Sequence, residues 1–423
     1  MRRPTRPQCL FTRIGRWSTP FAAALTLGCQ PALRDGPTTT PSSAPHSTKP
    51  AEADLATRTA RTELLDDAMR AASSLETAAH RRVRTRLQRD TAAAAIELGM
   101  LDLATRYAGR IDDWRRGEVL ALVAQAFARS GNRDAARSCL EAAIGMLPSS
   151  EDWMRERLTT EIGVAYACLG ETDEARRYGA LVPSQLTGRV EGELVARLPA
   201  EALDPQCDAF DRAIATRSLD IVRSGVDGYF AVLARSADDT SRASRAERAI
   251  RAAMSELPPD LQVETTVRLA TAIGAAGRPQ EAQRDLADAE NLFMTLQLDP
   301  DTAGPLARDL ALGFARAGDA AHARALLLNL LARYERAPGD FVDIERADYL
   351  RSLAEALHQA GDREGAVRVW SMALDAGALN PNGRPRAEDL CLTCISLARA
   401  GDPISPAMRE RIVAIQACLK APW

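Results

Sequence analysis

Residues 120–148 read LALVAQAFARSGNRDAARSCLEAAIGMLP. Leu120, Val123, Ala124 and Phe127 recur three and four apart, which puts them on one face of a helix. Gly131 ends that helix, because glycine takes the left-handed backbone conformation at little cost. A second helix carries Ala136, Leu140 and Ala143 on one face and stops at Pro148, which cannot continue it. The stretch is a helical hairpin, a unit of the kind that packs only on its neighbours.

Weaker copies run to the C-terminus. The turn glycines Gly99, Gly131, Gly170, Gly277, Gly318 and Gly361 each have an alanine five residues on, and Gly401 opens a last, incomplete unit. The spacing is 32 and 39 residues across the first three glycines and 41 and 43 from Gly277 to Gly361. The gap between Gly170 and Gly277 must hold two degenerate units. One repeats the pattern with Ala246, Ile250, Ala253 and Pro258, its turn placed at Ser241. The other must turn near residues 199–205, LPAEALDP having broken the periodicity. A period in the thirties to forties marks a solenoid.

The units resemble tetratricopeptide (TPR) repeats over about residues 85–420. Ile162-Gly163 and Tyr166 match the first-helix pattern ahead of Gly170. Leu353-Ala354 and Leu357 do so ahead of Gly361, with Ala366, Trp370 and Ala373 on the second helix, and Ala311 and Phe314 precede Gly318. The expected fold is therefore all-α, an α-solenoid of about eight TPR-like helix-turn-helix repeats. Small residues that let helices approach also explain an aromatic content of only 4%. Expected boundaries are a signal peptide at 1–28, a lipid-attachment cysteine and Pro/Ser/Thr linker at 29–54, a helical cap at 55–90 and the array at 91–423. Regular geometry is not expected between about 183 and 260.

The N-terminus reads as an export signal. Five arginines precede an uncharged stretch ending FAAALTLG, and Cys29 follows. The apolar run is about half the roughly 20 residues that a membrane-spanning helix needs. Leu25-Thr26-Leu27-Gly28-Cys29 resembles the bacterial lipoprotein lipobox, although Thr26 stands where that motif usually carries an aliphatic residue. The resemblance implies lipidation of Cys29 and a periplasm-facing place at a bacterial envelope. Plain secretion, or a chance apolar stretch in a cytosolic protein, are the alternatives. The polar linker GPTTTPSSAPHSTKP at 36–50 suits a tether.

Composition and motifs argue against several functions. The formal charge is −3 overall, and about −8 from Cys29 onward, so nucleic acid is not an expected partner. No G-x-G, no Gly-Lys phosphate loop, no His-Glu-x-x-His and no Gly-x-Ser-x-Gly occurs, so neither an enzyme nor a cofactor is expected. Cys391-Leu392-Thr393-Cys394 sits in a first-helix position without a second ligand pair; buried thiols acting as small hydrophobes are the expectation. Cys139 and Cys168, on neighbouring helices, could bridge. The arginine run at 81–86 reads as a solvated, salt-bridged face.

A TPR-like array works by shape, holding a peptide or partner helix in the groove lined by first helices. The family's groove-facing positions fall here on Gln125, Arg129, Arg157, Thr160, Arg268, Thr271, Arg308, Arg316, Arg351, Glu355 and His358. The expected function is a non-catalytic scaffold for an unidentified protein or peptide. The alternatives are a cytosolic TPR adaptor and an envelope enzyme built on an α-helical toroid. A deep pocket with two acids facing across it would mark the latter.

Overall fold

The computed structural model describes residues 49–419 except 237, all in helices and their connections. The signal stretch and Cys29 lie outside the described residues. Helix α1 spans Lys49–Ser73 and so begins inside the stretch read as linker. The first helices of the array are α2 (Thr77–Glu97), α4 (Arg115–Arg129), α6 (Asp152–Leu169), α8 (Ser184–Val195), α10 (Leu219–Arg235), α12 (Pro259–Ala275), α14 (Pro300–Arg316), α16 (Asp343–Gln359) and α18 (Gly383–Ala400). Their second helices are α3 (Leu101–Ala108), α5 (Arg133–Ile144), α7 (Thr172–Gly179), α9 (Leu203–Ala215), α11 (Thr240–Met254), α13 (Pro279–Thr295), α15 (Ala320–Arg336) and α17 (Arg363–Ala378). Helix α19 (Pro406–Cys418) follows α18. Eight consecutive hairpins therefore form an all-α array.

All seven turn glycines have a positive φ, between 71° and 88°. The hydrogen bonds show why glycine is needed. Gly131 N–H donates to Ala128 and Asn132 N–H reaches back to Phe127, which turns the chain within two residues. Asn132 then caps α5 by accepting from Ala135 N–H. Asp319 and Asp362 cap α15 and α17 in the same way after Gly318 and Gly361. Ile162, Leu353, Leu357, Ala366, Trp370 and Ala373 are all buried, as the repeat pattern requires.

The degenerate region keeps the hairpins but changes the packing device. Ala246, Ile250 and Ala253 are buried as expected. Their helix starts about a turn early, however, capped by Asp239, so Ser241 lies inside α11 and does not form the turn. The other unit turns where expected, through a 3-10 segment at Ala200–Ala202. Here glycines on the first helices, and not alanines, permit close approach. A Cβ at Gly228 would overlap the Phe210 ring, and one at Gly188 would overlap Ser224.

Each first helix packs on the next, and the last, α18, packs back on α2. The array is a closed ring. Its closure is made by α1, which packs more extensively on α18 than on its own sequence neighbour α2 and so fills the second-helix slot of the ninth unit. The stretch read as a cap at 55–90 thus holds two different things, the partner of α18 and the first helix of the array. Leu64, Leu65, Ala68, Met69 and Ala72 of α1 share one core with Leu390, Cys391, Cys394 and Ile395 of α18. Ion pairs stitch the seam: Arg86–Glu388 at 3.1 Å, Arg399–Glu97 at 2.7 Å, and Arg409 to both Asp67 and Glu63. Gly401 is doubly constrained, since a Cβ there would also sit 2.5 Å from the Arg61 guanidinium.

Candidate interaction surface on the inner wall

The first helices present long charged side chains to one another across the concave side of the ring. Glu118 of α4 meets Arg157 of α6 at 3.1 Å and Arg89 of α2 at 3.8 Å. Gln125 of α4 donates to the Glu161 carboxylate at 3.0 Å, and Arg189 of α8 pairs with the same carboxylate. Arg129 of α4 reaches over α6 to Glu193 of α8 at 2.9 Å, a span possible only where the wall is concave. Arg268 of α12 pairs with Asp227 of α10 at 2.8 Å, and Arg308 of α14 with Glu355 of α16 at 3.1 Å.

Most residues expected in the groove are therefore members of these cross-unit pairs. Gln125 is only 4% exposed, and Arg351 only 6%, held by Asp348. Thr160 and Thr271 bond back to their own helices, at the carbonyls of Glu156 and Val267. His358 Nε2 lies 2.9 Å from Asp402 at the glycine turn of α18. Arg157 and Arg268 also lie over the Trp114 and Phe230 rings. Arg129 keeps 47% exposure despite its pair. Arg316 is exposed and has no partner among the described residues.

Glu118, Glu161, Arg189 and Glu193 were not expected on this wall. Their signal is an opposite charge about one repeat away in a first helix: 118 with 157, 161 with 189. The arginine run behaves partly as expected. Arg81 pairs with Asp112 at 3.5 Å, but Arg84 donates to the carbonyls of Ser73 and Leu75 and Arg86 serves the ring seam.

Burial sets the local acid–base behaviour. It pushes the Glu355 carboxyl up, but Arg308, Arg399 and the Ser396 hydroxyl outweigh it, and the net shift is downward. Burial, with the Glu193 charge, pushes the Cys168 thiol up to about 12. Cys168 donates to Glu193 at 3.2 Å and both it and Cys139 are free thiols, so no bridge joins them. Cys391 and Cys394 are fully buried on α18, Cys391 facing Thr91 of α2 at 3.6 Å, and burial raises both thiols. They are seam-packing side chains. Among the described residues no group of three His, Cys, Asp or Glu could hold a metal, and no helix is long and apolar enough to cross a membrane.

No protein-family model matches this chain, and no curated protein matches it. Among solved structures it is similar to one described as "Circular tandem repeat protein with novel repeat topology and enhanced subunit contact surfaces". That match has 14% identity, covers 86% of this chain and 96% of the other, and has a TM-score of 0.22. A score of that size carries no argument, and the ring rests on the contacts of the chain itself.

Proposed function

We propose that this chain is a non-catalytic, TPR-like scaffold that holds a protein or peptide partner on the inner wall of its ring. We also propose that it is exported and tethered to a bacterial envelope by a lipid on Cys29. The observation that carries the scaffold reading is the wall itself. Ion pairs brace α2 to α4, α4 to α6, α6 to α8, α10 to α12, α14 to α16 and α18 to α2, and on the polar wall so formed Arg129 and Arg316 stay exposed. Their guanidinium groups suit carboxylates of a partner chain.

The test is Arg129→Glu with Arg316→Glu. Circular dichroism should stay unchanged while any partner captured with the wild-type chain is lost; undiminished capture would count against the wall as the binding surface. Arg351 is unsuitable for this purpose because it is buried. Export and anchoring are tested by fractionation of Cys29→Ala, which should leave the membrane fraction. A variant that distributes as the wild type does would favour the cytosolic adaptor.

The toroid reading shares the ring form. Its acids, however, are engaged: Glu118, Glu161, Glu193 and Glu355 each meet at least one arginine. The cavity between α10 and α12, lined by Asp227, Glu264 and Arg268 among others, leaves room for about one water, about 20 Å³.

A further inference from the structure

In a ring of hairpins, first helices all start on one rim, beside the second-to-first loops, and end on the other, beside the glycine turns. Helix α1 has second-helix polarity. Its Arg61 lies against Gly401 at the glycine rim, while Arg84, near the start of α2, binds the carbonyls of Ser73 and Leu75 at its C-terminal end. The connection from α1 to α2 therefore lies on the loop rim. It consists of Ser74, Leu75 and Glu76, with neither glycine nor proline to forbid helix, and it is three residues long. Were those residues helical, α1 and α2 would form one rod from Lys49 to Glu97, and α1 would leave its slot and project from the loop rim.

A separate observation concerns the same rim. Trp153, Leu181, Leu219, Met294, Val342 and Leu379 are large apolar side chains exposed to solvent, and each lies at or beside a second-to-first junction. None of the large exposed apolar residues among the described ones lies in a glycine turn. An apolar rim distributed around a ring suits a copy of itself related by a two-fold axis, because each residue then meets the same set on the other side. Polarity agrees. A rod leaving one ring through its loop rim enters the empty α18 slot of a facing ring with its C-terminal end at that rim, as α1 requires.

We propose that two copies of this chain meet loop rim to loop rim and exchange α1, so that each copy's first helix closes the other's ring. The seam supplies the recognition code. Asp67 and Glu63 of α1 meet Arg409 of α19, and Met69 and Leu65 enter the core against α18.

The test uses full-length chains. One carries Asp67→Arg and a second Arg409→Asp, so that each alone sets like charges at its own seam and both seams match only when α1 is exchanged. A third carries both changes, which restores the pair within one chain. Refolded together, the first two should give a one-to-one dimer of twice the chain mass by native mass spectrometry. A second series alters the hinge. Deleting residues 74–76 should give only dimer, and inserting Gly-Ser-Gly-Ser after Ser74 should give only monomer. Charge-reversed chains that stay single when mixed, while the third variant folds, would overturn the proposal. So would a hinge-deleted chain of single mass whose α1 is protected from hydrogen exchange. A rim-to-rim dimer that forms equally with the long hinge would also overturn the exchange.

Discussion

Arg409→Met should loosen α1 without unfolding the array. Asp67, only 4% exposed, is held by Arg409 from α19 and by Arg70 from its own helix, and these arginines are 30% and 58% exposed. Breaking a buried pair by removing one partner costs about 3–5 kcal/mol. Arg70 remains, and it faces solvent, so it recovers part of that cost. The lost pair with Glu63, itself well exposed, adds about 0.5 kcal/mol at most. The expected penalty is about 2 kcal/mol, which corresponds to roughly a 30-fold rise in the population with α1 released. Hydrogen exchange read by mass spectrometry should show the buried part of α1, residues 64–73, exchanging about that much faster. Peptides from α4 to α7 should be unchanged. Methionine keeps the apolar stem, so lost packing does not confuse the result. Exchange of α1 at the wild-type rate would refute the claim that this clasp holds the ring shut. Equal acceleration in every helix would refute the claim that α1 opens on its own.

Other perturbations test the turns, the buried acid and the thiols. Arg217, between α9 and α10, is the one described non-glycine residue with a positive φ, 55°; Arg217→Gly should stabilise by about 1 kcal/mol in urea unfolding. Gly131→Ala should cost about 1 kcal/mol from its φ of 84° alone, since a Cβ there meets nothing within 4 Å. Burial, with Asp348 and Glu388 nearby, raises Asp389 to about 7 against the pull of Arg351 and the hydrogen bond from Asn380. A raised carboxyl favours the folded state most below its unfolded value near 4, and that contribution is lost as pH climbs through 7. Asp389→Asn should therefore flatten the stability profile between about pH 4 and 7 and gain on the order of 2 kcal/mol at pH 8. In the native protein, maleimide should label Cys418 quickly and leave Cys391 and Cys394 unmodified, as exposure and burial dictate; fast labelling at either α18 cysteine would contradict the seam packing.

The hairpins were legible because their signals are local. A left-handed turn needs glycine, and helix faces recur at 3.6 residues, so Gly99 to Gly401 mark the turns and Ala136, Leu140 and Ala143 mark a buried face. The start of α11 was misplaced because an aspartate cap replaces the glycine turn there, and Asp239 does not stand at the repeat position. Closure was not legible. Nothing in the periodicity of residues 49–73 says that their apolar face belongs to α18, more than 300 residues away, and the polar majority of that helix reads as a cap. The inner wall was legible in place but not in state. First-helix positions identified Arg129, Arg157 and Arg308, yet their cross-unit pairing depends on the packing and curvature that bring α4 to α6 and α8 and α14 to α16, a property of the assembled ring; Arg351 is instead buried against Asp348 of its own helix.

Ring closure is tested most directly by joining α2 to α18. Arg86 and Glu388 lie 302 residues apart in sequence and 3.1 Å apart as an ion pair, and both belong to helices that stay within one ring whether or not α1 is exchanged. With Cys139 and Cys418 replaced by serine, Arg86→Cys/Glu388→Cys should be joined within one chain, in high yield, by a short bismaleimide under native conditions. The product should be a looped chain of single mass that migrates anomalously in a denaturing gel. An open solenoid would hold the two positions at opposite ends, and the absence of an intramolecular link would contradict the ring.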